Sequence, residues 1–488
     1  MKKFVVVLAA ALAVLVAVVL IRAALHRPDA RDDVAQVSVD VDTTRIAEHL
    51  SEAVRFRTIS HQRVEEFEPA EFEGFIAWVE RTYPEVQQTM ERTLLGNYSM
   101  LYRWPGSDPS LQPILLTAHY DVVPVIPGTE DRWSHPPFAG TIADDIVWGR
   151  GALDDKSAMI AQLEAATLLL RSGFKPTRTV YFSFGHDEEI GGTNGAAKVT
   201  EYLAANGIRL AWSLDEGSFV LDGLLPGVKP LVAAVNVAEK GSVSLAIVAK
   251  SAGGHSSMPP RRTAVGILAA AITRLEDNPI PGGLSGLSEQ MFDTISRYMP
   301  FAYRIAFANR WLFGRIIEKQ LSAVPFGNAM LRTTTAPTML SGSVKVNVLP
   351  IEAIATVNFR IHPRDSVDDV VNYVKALVEN ENVEVRLDPE GGRGASEVSD
   401  WHSEGFGVIA RSIRETYGDV VVTPGLMIAA SDSRHYAKVA ENAFRFNPMT
   451  VTQADMTGFH GTDERIGVAS MAQGTRTYSQ IIRNGASR

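Results

Sequence analysis

In the first part of the chain, short apolar runs alternate with helical patterns, and the runs end in histidines or acids. "PILLTAH" (113–119), "TVYFSFG" (179–185) and "LAWSLDEG" (210–217) read as strands. "SAMIAQLEAATLLLRSG" (157–173) and "GAAKVTEYLAANG" (195–207) carry apolar residues at helical spacing, the first closed by Gly173. Such alternation is satisfied by an α/β domain, a mainly parallel sheet with helices on both faces. Ligands of these sheets gather beyond the carboxyl ends of the strands, where most of the polar clusters of this chain fall.

The middle has another rhythm. Strand "SVSLAIVAK" (242–250) precedes helix "RRTAVGILAAAITRLED" (261–277). Strands "TMLSGSVKVNV" (338–348) and "AIATVNFRIH" (353–362) follow, joined at Leu349-Pro350, then helix "SVDDVVNYVKALVEN" (366–380) and strand "VEVRL" (383–387). The order is βαββαβ, a ferredoxin-like sandwich. It predicts a small domain over 238–394 inserted into a larger one made of 28–237 and 395–488, with "GGRGASEVSD" (391–400) as a linker. A length of 488 residues fits two domains. The aromatic segment 279–325 belongs to neither pattern. Its plainer reading is a helical hairpin packed on its own small domain; its sharper one is an apolar lid for a greasy substrate or a membrane surface.

The N-terminus stands apart. Lys2 and Lys3 precede an uncharged apolar run from Phe4 to Ile21, long enough to cross a bilayer. Without a clean small-x-small cleavage site, and with Arg22 interrupting the run, segment 1–27 reads as an anchor in preference to a cleaved signal peptide. Either way the rest of the chain, starting with a polar tether over 28–41, lies outside the cytoplasm, membrane-anchored or secreted. The net charge of −9 without a basic block argues against nucleic acid. The absence of cysteine excludes disulfides, thiolate metal sites and a cysteine nucleophile.

Asp187, Glu188 and Glu189 stand side by side after "TVYFSFG". Like charges this close raise one another's pKa, and a solvated acidic turn is out of place after so apolar a strand. Adjacent side chains diverge, so a division of labour fits: one glutamate binds metal and its neighbour acts as general base on the attacking water. "LLTAHYDVVP" adds His119 and Asp121. "WGRGALDDKSAM" adds Asp154 and Asp155; helix capping accounts for one acid, not for a second followed by Lys156. "SLDEGS" ends a strand with Asp215, and "GFHGTDERIG" holds His460 between glycines. Together His119, Asp154, Glu189, Asp215 and His460 suit two zinc ions or similar divalent metals.

H-x-D, G-R-G-A-x-D-D-K, D-E-E, L-D-E-G and a late histidine in a glycine loop occur in that order around an inserted βαββαβ unit. In this the chain resembles the di-zinc metallopeptidase family of aminoacylase, glutamate carboxypeptidase, succinyl-diaminopimelate desuccinylase and carboxypeptidase S. The resemblance covers nearly all of 43–485 and is nearest to carboxypeptidase S and the secreted N-fatty-acyl amino acid hydrolase/synthases. It implies that His119 and Asp215 hold one metal, Glu189 and His460 the other, and that Asp154 bridges them. Asp121 would orient His119, and Glu188 would be the base. The inserted unit would act as a lid or dimerisation domain. His255, in "AGGHSSMPP", would polarise the scissile carbonyl, often from a partner subunit, which leaves a homodimer open. Asn347, Arg360 and Arg434 would meet the substrate, and paired arginines suit a free carboxylate. A cis Asp154-Asp155 bond is also implied.

The activity so implied is hydrolysis of the amide of an N-acyl amino acid or short peptide. An aminopeptidase would recognise an α-amine, which Arg360 and Arg434 argue against. A non-catalytic binding module would lack a ligand or the base, yet every position is filled. A structural calcium site would not use two histidines.

Overall fold

A computed structural model of the chain describes residues 1–28 and 34–487. The large domain is built on an eight-stranded sheet. In spatial order its strands are Glu91–Leu95, Ser99–Trp104, Val180–Gly185, Ile114–His119, Trp212–Leu221, Ala443–Val451, Leu231–Glu239 and Val420–Met427. The sheet is mixed, with four parallel and three antiparallel pairs between neighbouring strands. The four central strands from Val180–Gly185 to Ala443–Val451 run parallel, as does the Leu231–Glu239/Val420–Met427 pair. Glu91–Leu95 and Ser99–Trp104 add antiparallel at one edge, and Leu231–Glu239 sits antiparallel to Ala443–Val451 and to the end of Trp212–Leu221 because a short 222–230 connection folds it back.

Burial explains the central strands. Every residue of Ile114–His119 and Val180–Gly185 is buried, as expected of parallel strands covered on both faces. Helix Lys156–Arg171 is buried almost all round, packed against the sheet and helices Thr43–Val54 and Val468–Ala486. Lys156, whose place in "DDK" capping does not explain, is fully buried: its Nζ donates to the carbonyls of Ala53 and Phe56 at the end of Thr43–Val54 (3.0 and 2.8 Å). Burial pulls this amine down to about 7.

The small domain's antiparallel sheet has the order Thr334–Ser341, Glu352–Ile361, Gly241–Lys250, Val383–Arg393, covered by helices Ala264–Asp277 and Val367–Leu377. Two boundaries differ from those expected. The second strand stops at Ser341, and Val348–Leu349 pairs instead with Gly254–His255. The last strand runs through a bulge between Leu387 and Gly392 to Arg393, into the stretch expected to be linker. The chain leaves and re-enters the large domain side by side: Ser399 N–H donates to Val237 O (2.8 Å) and Ser396 N–H to Glu239 O (3.0 Å). A Cβ at Gly241 would lie 2.3 Å from Arg393 O, so only glycine lets the crossings touch.

The insertion forms four helices, Leu287–Ser296, Phe301–Ala308, Arg310–Ser322 and Pro325–Leu331. Leu287, Met291, Phe292 and Ile295 join the large domain's core, with the first helix against the edge strand Val420–Met427. The hairpin therefore packs on the large domain and not on its own. Its other side holds the N-terminal helix Lys2–Leu25: Asn309 Nδ2 donates to Val19 O (3.0 Å) and Arg22 Nε to Ala308 O (3.0 Å). That helix is apolar and long enough to cross a membrane, which is compatible with an anchor or a signal peptide. The expected tether lies partly outside the described residues. Its later part follows the large domain, with Val37 N–H donating to Glu415 O (2.9 Å) and Arg476 Nε to Val39 O (3.0 Å).

If the first insertion helix belongs to the large domain's core, Ile295→Ala should lower the stability of that domain by about 2–4 kcal/mol. Denaturant unfolding followed by tryptophan fluorescence checks this. An unchanged transition would place the helix outside the core.

Candidate metal centre

The acids and histidines converge beyond the strand ends. Strand Ile114–His119 delivers His119, buried, at the sheet's carboxyl edge. Its Nδ1 donates to the Asp121 backbone carbonyl (3.0 Å) and stands 3.4 Å from the Asp121 carboxylate. The ring is thus oriented with Nε2 toward Asp154 Oδ1 (3.1 Å) and Glu216 Oε1 (3.5 Å). On the other side of Asp154, Oδ2 accepts from His460 Nε2 (2.7 Å), and that nitrogen lies 3.3 Å from Glu189 Oε1. Two three-residue groups result, His119/Asp154/Glu216 and Asp154/Glu189/His460. Within each, the candidate ligand atoms lie within 4.8 Å of one another. They share Asp154, one oxygen toward each histidine. The peptide after Asp154 is cis, as expected.

Asp215 falls in neither group: Oδ1 accepts the N–H of Glu216 (2.9 Å), the carboxyl is buried near Ser431 and Arg445, and Oδ2 has no hydrogen-bond partner among the described residues. The carboxylate of this strand that joins the first group is the next one, Glu216.

The adjacent glutamates separate as their chemistry requires. Asp121 accepts the backbone N–H groups of both, Glu188 at 3.2 Å and Glu189 at 3.1 Å, and also the Ser60 hydroxyl. This fixes the turn so that Glu189 faces His460 while Glu188 belongs to neither cluster. The remaining acid of the three shapes the turn itself, since Asp187 Oδ2 accepts from Asn194 N–H (2.7 Å). Burial would raise Asp121, but hydrogen bonds from His119 and Ser60 hold it below the usual carboxylate range.

Charge accounts for the other shifts. Burial, then Glu216, pushes Glu188 well above its ordinary pKa. Burial, then Asp154, raises both Glu189 and Glu216. The hydrogen bond to Asp154 and the nearby Glu189 carboxylate lift His460 to about 10. Buried acids that raise one another around two histidines favour positive charge between them. Glu189 Oε1 has no hydrogen-bond donor among the described residues. Nitrogen and carboxylate donors without thiolate suit zinc or a similar divalent ion.

Sequence reasoning missed the brace behind Asp154. Glu464, fully buried, accepts the backbone N–H groups of Gly151 (3.0 Å), Leu153 (2.9 Å) and Asp154 (3.0 Å) through Oε1. Its Oε2 accepts from Arg150, whose Nη2 donates to Gly461 O (3.1 Å) beside His460. Glu464 follows His460 by four residues and Arg150 lies inside G-R-G, so both stood next to motifs already singled out.

The remaining residues lie apart from the two clusters. His255, exposed and hydrogen-bonded to Ser257 (2.8 Å), is in the small domain across from Val348, beside Asn347. The Asn347 side-chain oxygen is buried without a partner among the described residues. Arg434 donates to Gly191 O (2.7 Å), at the end of the Glu188–Ile190 turn. Arg360 is exposed on Glu352–Ile361. Arg393, in the stretch expected to be linker, pairs with buried Glu239 (2.7 Å) and feels both Arg434 and Arg360. These three arginines make a cationic side to the region between the domains.

The model of peptidase family M20/M25/M40 matches residues 115–484. The chain belongs to this family. It is accordingly a metal-dependent peptidase or amidohydrolase. A probable carboxypeptidase S-like 2 of Dictyostelium discoideum is 40% identical over 448 residues, 90% of this chain and 85% of that protein. The N-fatty-acyl-amino acid synthase/hydrolase PM20D1 of Xenopus tropicalis is 37% identical over 481 residues, 97% and 93% of the two chains. Among solved structures, an M20 family metallo-carboxypeptidase of Sulfolobus solfataricus shares the fold at a TM-score of 0.65 and 16% identity, covering 90% of this chain and 98% of that one.

Two results should follow. Glu216→Gln should lose bound metal while Asp215→Asn retains it, by elemental analysis; the reverse would make Asp215 the ligand. Chelation at neutral pH should be accompanied by proton uptake, because the raised Glu188, Glu189, Glu216 and His460 hold protons without a cation and ligands shed them with one. An indicator dye in weak buffer reads this, and no uptake would contradict the assigned charge states.

Proposed function

We propose that this enzyme hydrolyses the amide bond of N-acyl amino acids or of short peptides with a free carboxylate, using two divalent ions, zinc by the character of the donors. The observation that carries the reading is the pair of ligand groups sharing Asp154, with Glu188 beside them and belonging to neither. His119, with Glu216 or its neighbour Asp215, would hold the ion on one side of Asp154, and Glu189 and His460 the ion on the other. The ions, when bound, polarise the scissile carbonyl and lower the pKa of the attacking water.

The chain's own groups supply the rest. Glu188 takes the water proton on its carboxylate and passes it to the leaving amine nitrogen. Asp121 keeps His119 in one tautomer and fixes the turn that separates Glu188 from Glu189. His255 donates to the developing oxyanion, carried there by the small domain as a lid or by the small domain of a second copy in a homodimer. Arg360 and Arg434, with Asn347, receive the carboxylate end. The same groups serve the reverse condensation, in which Glu188 takes a proton from the amine and returns it to departing water. The likeness to carboxypeptidase S-like and N-fatty-acyl-amino acid proteins supports a carboxylate-bearing substrate and long acyl chains.

Glu188→Gln should retain metal and lose most turnover, whereas Glu189→Gln should lose metal; equal metal loss in both would end the division of labour. Arg360→Met should raise KM about tenfold or more without removing metal, since a charge-assisted hydrogen bond contributes about 1.5–3 kcal/mol. KM should also fall from acetyl to long acyl substrates, each buried methylene adding about 0.8 kcal/mol until the site is filled. A flat chain-length profile of kcat/KM would favour a general aminoacylase or carboxypeptidase.

A further inference from the structure

The insertion buries one side in the large domain, holds the N-terminal helix on another, and leaves a further face of its third helix open. On helix Arg310–Ser322, Phe313 and Ile317 face inward, while Trp311, Leu312, Arg315, Ile316 and Lys319 form one exposed stripe. Trp311 is 60% exposed and Ile316 58%. Phe301 and Tyr303 of the preceding helix are exposed as well. An apolar stripe mixed with long cations and a tryptophan is the pattern of a helix lying in a membrane interface.

The N-terminal helix sets the level of this face. Its uncharged stretch Phe4–Ile21 is about 27 Å long at helical rise, against a hydrocarbon core of about 30 Å. If it spans, the whole stretch is needed, and the hydrocarbon boundary falls at Ile21–Arg22. The insertion is bonded to the helix at that level, Asn309 to Val19 and Ala308 to Arg22. Trp311 follows Asn309 by two residues. The exposed stripe is therefore held at the bilayer surface by the same contacts that hold the helix.

Charge points the same way. The insertion's helices, Leu287 to Leu331, carry five basic side chains (Arg297, Arg304, Arg310, Arg315 and Lys319) against three acids (Glu289, Asp293 and Glu318), with Arg297 and Arg310 paired to Asp293 and Glu289, in a chain whose net charge is −9. The wedge between the N-terminal helix and the insertion is a cleft of about 550 Å³ whose walls include Arg22, His26, Asp293, Arg297, Arg310 and Trp311. Cations at the foot of an apolar span complement anionic headgroups.

We propose that the insertion is a membrane-docking platform whose Trp311/Leu312/Ile316 face lies in the interface of a bilayer containing anionic phospholipid, next to the N-terminal helix. This rests on that helix spanning the membrane, and is independent of the metal assignment.

The chain has no cysteine, so single-cysteine variants carry one dye each without further engineering. Trp311→Cys and Ile316→Cys, with Val14→Cys inside the apolar stretch and Val344→Cys on the small domain (99% exposed), are labelled with a polarity-sensitive fluorophore. The full chain is reconstituted in vesicles of phosphatidylcholine and phosphatidylglycerol containing headgroup- or acyl-nitroxide lipid. The expected result is blue-shifted emission and strong quenching at 311 and 316, more by the headgroup nitroxide than by the acyl one. Position 14 should be quenched chiefly by the acyl nitroxide, and position 344 by neither. Quenching at 14 with water-like emission at 311 and 316 would overturn the platform while keeping the span. No quenching at 14 would remove the span, and the platform with it.

Discussion

The metal centre depends on how one carboxylate holds three backbone amides. Asp154 can present one oxygen to each histidine only if the turn from Gly151 to Asp155 keeps its shape. Glu464 keeps it by accepting the N–H groups of Gly151, Leu153 and Asp154, while Arg150 ties the same carboxylate to the loop of His460. Two chain segments more than 300 residues apart thus become one rigid unit (Arg150 and Glu464 differ by 314). Truncating either member would leave its partner's charge buried and unpaired, which is costly.

The same economy of roles runs through the acidic turn. Of three adjacent acids, Asp187 shapes the chain, Glu188 is left free of the clusters, and Glu189 enters one. Asp121 makes the distinction possible by binding both glutamate N–H groups on one carboxylate. In the proposed reaction, position in a hydrogen-bonded turn, and not residue type, would separate the general base from the ligand.

What could be read from the sequence followed from where residues sit along their elements. His119, Asp154, Glu189 and His460 mark the end of a strand or a glycine-bearing loop, and such positions have one side on which to gather. Asp215 and Glu216 lie within a strand buried on both faces, where nothing in the apolar pattern tells which acid faces the site. Glu464 and Arg150 act on backbone groups, which leave no mark in composition. The short 222–230 connection did carry a signal: it cannot hold a crossover helix, so the strands around it had to run antiparallel and the sheet had to be mixed. The insertion's amphipathic helices declared a buried side without declaring which domain would bury it.

The neck between the domains has a consequence for descent. Both crossings pass through one spot, bonded to each other at Val237, Glu239, Ser396 and Ser399. A chain lacking 241–393 could rejoin its own backbone there by a tight turn, keeping the strand pairing of the large sheet but uncovering the face of Val420–Met427 that helix Leu287–Ser296 packs on. The small domain is thus a cassette with a single graft point. It can be acquired or exchanged, or lengthened by helices that pack back on the large domain as here, without any change in the residues that gather at Asp154.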